Sequence, residues 1–258
     1  MSLNKQYFYI FVLFLWMMAA CQGGSSSNIC DNCVRRSPLA PVSEDDISSP
    51  PAGANKQYTG VYNFTKYIIN SKYQVHIFGT SGVHDWTMVK IDEMVTRVID
   101  SIKNESSRAI FKDHEVLVIT DNDPEVPFAW PGQRNGGGHK VTIINQELIC
   151  QTAVDTINPT APAAYREWDT PIHEFGHSVE LQLEIRDQTV EFHRSNNPNY
   201  VSVSDAEYFA SATQSWFNSD YTYHRTRDSI PAFERVYMGT VYAEEVVWVP
   251  SCSGRPAD

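Results

Sequence analysis

The chain has 258 residues, of which 42% are hydrophobic and 20% charged, and its formal net charge is −11 at pH 7. An acidic chain without a basic stripe is poorly suited to nucleic acid or to an anionic membrane surface, so neither is expected as a partner. The length allows one domain with a substantial core, and we expect a monomer.

The N-terminus has the pattern of an export signal. Lys5 precedes an apolar run from Tyr7 to Ala20 that is short for a membrane span and ends in small residues. We expect residues 1–21 to be a signal peptide and the protein to be secreted. The alternative is a bacterial lipoprotein, because residues 18–21 resemble a lipobox that would anchor the chain at Cys21. The triplets at 63–65 and 104–106 are N-glycan acceptors and favour a secreted eukaryotic glycoprotein instead.

A linker or propeptide is expected between the signal peptide and the folded domain. Residues 22–57 are rich in Ser, Pro and Gly and cannot supply a packed core. Without Cys21, four cysteines remain for an oxidising compartment: Cys30, Cys33, Cys150 and Cys252. Their even number predicts disulfides, and the sequence leaves all three pairings open.

One folded domain is expected over residues 58–258, where the chain becomes periodic and aromatic. Its N-terminal half predicts, in order, a strand over 74–78, an amphipathic helix over 86–102 and a buried strand over 115–120. The glycine run at 135–138 is interpreted as a mobile loop, and residues 140–145 predict a further strand.

The most informative pattern is His173-Glu174-x-x-His177 on a helix predicted over 169–185. Histidines four residues apart lie one turn above each other, so both can reach one zinc ion at about 2.0–2.1 Å. Glu174 projects beside them, toward the position that catalytic zinc leaves open for water, where it can take a proton. This spacing indicates a hydrolase.

The third metal ligand does not follow the histidine pattern of the metzincins. That pattern needs Gly and His at positions where this chain has Glu180 and Leu183. A carboxylate from a second helix, predicted over 204–217, is the alternative, and Glu207 lies on the polar stripe of that helix. Two other readings remain open: a capping box between Ser204 and Glu207, and Asp205 as the ligand.

These residues together resemble the glutamate-type zincins, most closely the lethal-factor-like branch that includes the Pro-Pro endopeptidases. In that branch the third ligand opens a Glu-aromatic-Phe-Ala segment, matched by residues 207–210. A tyrosine seven residues earlier, matched by Tyr200, donates a hydrogen bond to the developing oxyanion. The rivals for that role are His193 and His224. The resemblance covers residues 169–217 and implies peptidase activity on a peptide or protein substrate.

The expectation is therefore an α+β, zincin-like metallopeptidase domain with an edge strand above the metal-binding helix. One Zn2+ per chain would be bound by His173, His177 and Glu207, with Glu174 as general base and Tyr200 as oxyanion donor. The substrate strand is expected along residues 140–145, beneath the glycine loop. The alternatives are a catalytically inactive binding glycoprotein on the same scaffold and a zinc enzyme that acts on a non-peptide amide.

Overall fold

The computed structural model describes most of the expected domain and part of the segment before it. The described residues are 42–54, 58, 61–124, 135–150, 168–196, 204–219, 226–244 and 252–256, all within one unit that runs from Leu39 to Asp258. The expected signal peptide at 1–21, the lipobox alternative at Cys21, and both Cys30 and Cys33 lie outside the described residues.

A five-stranded mixed sheet forms the centre of the described part of the chain. Its strands, in chain order, are β1 (Phe64–Ile69), β2 (His76–Thr80), β3 (Glu115–Ile119), β4 (Gly136–Gly138) and β5 (Val141–Asn145). The spatial order is β1-β2-β3-β5-β4. Strands β2, β3 and β5 are parallel, whereas β1 and β4 run antiparallel to their neighbours and form the two edges.

Six α-helices accompany this sheet in the described residues. They are α1 (Asp85–Ser101), α2 (Glu105–Arg108), α3 (Asp169–Gln182), α4 (Arg186–Asn196), α5 (Tyr208–Trp216) and α6 (Ala232–Val241). The mixed architecture is compatible with the predicted α+β class. Strands β3 and β5 and helix α1 match their predictions to within one residue at each end, and β2 begins two residues later than predicted.

Both faces of the sheet are buried, which explains why its central strands read as continuous apolar runs. On one face Ile77, Val116 and Ile144 join the apolar side of α1 in the larger core. On the other face Phe78, Leu117, Ile119 and Ile143 pack with three tyrosines, Tyr58, Tyr62 and Tyr67. Alternate residues along each strand therefore reach opposite cores.

The glycine run is a strand rather than a mobile loop, which corrects two expectations. Gly136–Gly138 pairs antiparallel with β5, from Gly136 opposite Ile143 to Gly138 opposite Val141. Because β3 pairs with the other side of β5, both hydrogen-bonding edges of β5 are occupied. The prediction that a substrate strand lies along residues 140–145 is therefore wrong, and the edge of the sheet is β4.

Residues from the expected linker contact the domain. Val42 and Ile47 pack against the larger core, and Ser48 forms an isolated antiparallel bridge with Tyr67. The described fold thus includes contacts from residues that precede the predicted boundary at 57/58.

One disulfide joins Cys150, after β5, to Cys252. The same C-terminal segment is held by Arg255, which donates to the carbonyls of Ile149 and Cys150, and by the indole of Trp86, which donates to the carbonyl of Ser253. The expectation of disulfide bonding is thus met for this pair, one of the pairings that the sequence left open.

A buried polar network connects the sheet to α3. The Nε2 atom of His114 lies 2.9 Å from Oγ1 of Thr142, and that hydroxyl lies 2.7 Å from the hydroxyl of Ser178 on α3. Gln182, one turn further along α3, donates to Nδ1 of His114. Burial lowers the pKa of His114 to about 3, so the imidazole stays neutral. The network fixes where α3 lies on the sheet.

A buried carboxyl on α1 makes folding stability depend on pH. Asp92 is 6% exposed, and its Oδ1 accepts a hydrogen bond from Asn70 Nδ2 at 2.7 Å. Burial raises the pKa of Asp92 from 3.8 to about 6, although the hydrogen bond from Asn70 opposes the change. The unfolded chain therefore loses this proton at lower pH than the folded chain does.

We predict that Asp92→Asn increases stability at neutral pH. In the native protein, the free energy of unfolding should fall as pH rises from about 4 to 6, by about 3 kcal/mol for two pKa units. The isosteric amide keeps the acceptor for Asn70 and removes the ionisation. Urea unfolding at pH 4 to 7 should therefore give equal stabilities near pH 4 and a more stable variant at pH 7. If the free energy of unfolding changes equally with pH in both proteins, the pH dependence does not come from Asp92.

Candidate metal centre

Two helices cross closely enough to bring their polar side chains together. At the crossing, a Cβ added to Gly176 on α3 would lie 3.1 Å from the Cα of Ala210 and 3.1 Å from the Cβ of Thr213, both on α5. Glycine inside a helix costs about 1 kcal/mol relative to alanine, and here it allows the α5 backbone to approach.

The crossing places three donor atoms around one point. The Nε2 atoms of His173 and His177 lie 2.8 and 3.1 Å from the same Glu207 oxygen, Oε2, and 3.2 Å from each other. Donors bound to a tetrahedral zinc at 2.0–2.1 Å would be about 3.3 Å apart. The two imidazole rings are nearly perpendicular, at 87°. His173, His177 and Glu207 thus form a group that could hold a metal ion.

Electrostatics also favour a cation at this point. Burial opposes a charge on His173, but its hydrogen bond to the Glu207 carboxylate, the negative charge of Glu174 and the hydrogen bond to Gln214 together raise its pKa to about 9. The hydrogen bonds from both histidines hold the pKa of Glu207 well below its usual range, although burial opposes the shift. A bound metal ion would replace the proton that these groups share.

Gln214 orients the first histidine for metal binding. Its Oε1 lies 3.0 Å from Nδ1 of His173, and a carbonyl oxygen can only accept, so Nδ1 carries the proton. Nε2 is then the nitrogen that can bind a metal ion, in place of the proton that it shares with Glu207. Histidine ligands in metal sites commonly have a partner of this kind. Gln214 lies seven residues after Glu207 in the predicted second helix, where no sequence pattern assigned it this role.

The alternative ligands have other partners. Asp205 Oδ1 lies 2.8 Å from Nδ1 of His193, and its Oδ2 lies 2.6 Å from Nη2 of Arg194. These two partners lower the pKa of Asp205.

Glu207 is the N-cap residue of α5, but its carboxylate contacts the histidines and makes no cap hydrogen bond, so the capping-box reading is wrong.

Glu174 follows His173 on α3, and its backbone packs against β4. It is 8% exposed, and its Oε1 accepts a hydrogen bond from Asn135 Nδ2 at 2.5 Å. A Cβ added to Gly137 would collide with the carbonyl oxygen of Glu174 and lie 2.6 Å from the Cβ of His177. The edge strand that contacts α3 directly is therefore β4, and not the strand predicted over 140–145. Sequence reasoning missed Asn135, which carries no motif of its own.

Tyr200 and His224 lie outside the described residues, so the oxyanion role of Tyr200 stays a prediction. Its other rival, His193, is held by Asp205. Among the described residues, no helix combines the length and the apolar character needed to cross a membrane.

No protein-family model, curated protein or solved structure matches this chain. What the fold and the site define is a mixed αβ protein in which two helices bring two histidines and a glutamate to one candidate metal centre.

We predict that the purified protein binds one metal ion per chain and that Glu207→Gln loses it. Loss of an outer partner of a metal ligand costs about 10–100-fold in affinity, so loss of the ligand itself should exceed that. Asp205→Asn is the matched control, because it neutralises a carboxylate two residues away and should keep the metal. Metal content after dialysis measures both. If Asp205→Asn loses the metal and Glu207→Gln keeps it, the third ligand is Asp205.

Proposed function

We propose that the protein is a secreted, zinc-dependent metallopeptidase of the glutamate-zincin type. The observation that supports it most is the Glu174 carboxylate, whose negative charge acts on His173 of the candidate donor group and whose Oε1 is held by Asn135 next to the edge strand. A metal site with a structural role alone would need no additional carboxylate at its side. Two neutral imidazoles and one carboxylate are a donor set that suits zinc.

The proposed chemistry divides the work between the metal and the chain. Zinc bound at His173, His177 and Glu207 would polarise the scissile carbonyl and acidify a water molecule. Glu174 accepts the proton of the attacking water and returns it to the leaving nitrogen as the tetrahedral intermediate collapses. Tyr200 donates a hydrogen bond to the oxyanion, a role carried over from the family resemblance.

The proposed substrate is an extended peptide that adds to β4. The sheet ends at β4, whose outer edge is unpaired within the described part of the chain. A peptide there would form main-chain hydrogen bonds with the strand, as in other cases of strand addition. Because β4 consists of Gly136, Gly137 and Gly138, it has no side chains to obstruct a peptide that approaches α3.

Peptide turnover should depend on zinc and on Glu174. The zinc-loaded protein should cleave a mixed peptide library, and the chelated protein should not. Glu174→Ala should retain zinc, and its kcat should fall by about 10²–10⁴-fold, the usual contribution of a general base. The control is Glu191→Ala, which removes an exposed carboxylate on α4 and should leave turnover unchanged. Normal turnover by Glu174→Ala would refute the base assignment.

A wild-type protein that binds zinc and peptides without cleaving any of them would favour the inactive binding glycoprotein instead. Cleavage confined to non-peptide amides would favour a zinc enzyme that acts on such amides.

Tyr200→Phe tests the lethal-factor-like resemblance most directly. The oxyanion hydrogen bond forms mainly in the transition state, so kcat should fall by about 10²–10³ while KM and zinc content stay nearly constant. His224→Ala removes the rival donor and should have wild-type kinetics. If His224→Ala loses turnover and Tyr200→Phe does not, the oxyanion donor is His224.

A further inference from the structure

The proposed mechanism gives no role to the contact between Asn135 and Glu174. Asn135 immediately precedes β4, and its side-chain Nδ2 donates to Glu174 Oε1 at 2.5 Å. The two residues are 39 positions apart in the chain, so the contact joins two separate elements. A hydrogen bond to a charged carboxylate is among the stronger ones in proteins.

Asn135 is held in place from two directions. The strand that follows it pairs with β5, with Gly136 opposite Ile143. Gly137, two residues on, lies against the backbone of Glu174 and against His177. The strand that carries the amide is thus fixed both to the sheet and to the helix that carries the carboxylate. Residues supported in this way can hold a catalytic group in one orientation.

The hydrogen bond distinguishes the two carboxylate oxygens of Glu174. Oε1 is engaged by Asn135, whereas Oε2 accepts no hydrogen bond from the described part of the chain. We propose that Asn135 is a positioning residue, whose side-chain N–H holds the Glu174 carboxylate in the rotamer that leaves Oε2 for the attacking water. This inference rests on the proposed peptidase function, and it adds a residue of the edge strand to the catalytic arrangement.

The contact itself can be tested without any activity. Thermal unfolding of the full exported chain, with zinc removed, should be measured for Asn135→Ala, Glu174→Ala and the double variant. If the two side chains are bonded, the Tm change of the double variant differs from the sum of the single changes. Asn145→Ala is the matched control, since it removes an amide-to-carboxylate hydrogen bond to Asp121 of 2.7 Å elsewhere in the sheet. It should combine additively with Glu174→Ala.

The positioning role is tested by kinetics on the zinc-loaded protein. Asn135→Ala should lower kcat about 10- to 100-fold, the range seen for outer partners of catalytic groups, with KM within about twofold and zinc content unchanged. Asn135→Asp has the same shape but cannot donate when ionised, so it should not restore turnover. Asn145→Ala should retain the wild-type kcat.

Four results would overturn the inference. If the Tm change of the double variant equals the sum of the two single changes, the side chains of Asn135 and Glu174 are not coupled. A raised KM with normal kcat would make Asn135 a substrate-binding residue, and full activity of Asn135→Asp would show that the N–H is not needed. A wild-type protein that cleaves no peptide while the cycle remains non-additive would refute the proposed function and the kinetic role together, and would leave a coupling that is only structural.

Discussion

The close approach of α3 and α5 at Gly176 is the constraint on which the candidate metal centre depends. Each helix alone supplies an incomplete donor set, two histidines from one and a carboxylate from the other. Because the chain has no Cβ at Gly176, Ala210 and Thr213 can lie against the α3 backbone. A Cβ at Gly176 would lie 3.1 Å from the Cα of Ala210 and from the Cβ of Thr213, so these neighbours would have to shift by a few tenths of an ångström to accept it.

The position of α3 is fixed on its other side by the sheet. His114, Thr142 and Ser178 form a buried chain of hydrogen bonds, and Gly137 brings the edge strand onto the helix. Buried polar groups of this kind are costly unless they are all satisfied, so they specify one relative arrangement. The same few contacts that locate the metal donors therefore also locate the edge where a peptide is proposed to bind.

The sequence predicted those parts of the site that local spacing encodes. The i, i+4 histidines and the second polar helix required only residues near in sequence, and Glu207 followed because its helix carries a polar stripe on an otherwise apolar surface. Strand β1 was missed, since a register irregularity between Phe64 and Lys66 disrupts its alternation.

The edge strand could not be predicted from local pattern. Three consecutive glycines have a low strand propensity, and β4 exists because it pairs with β5 and packs against α3. The role of Asn135 could not be predicted either, because its hydrogen-bond partner is 39 residues away in the sequence. Contacts between distant segments position β4 and Asn135, whereas residue spacing along the helices predicts the three candidate metal donors.

The disulfide has a consequence for metal retention. Cys150 and Cys252 are separated by 102 residues, and all three metal donors lie between them. When the protein unfolds in an oxidising medium, the donors remain within one covalent ring. In the chain-entropy description, a loop of about 100 residues restricts the unfolded state by about 4.7 kcal/mol. Thiol reductants added during purification would therefore lower the stability of the fold that brings the three candidate donors together, because the unfolded chain is no longer restricted by the ring.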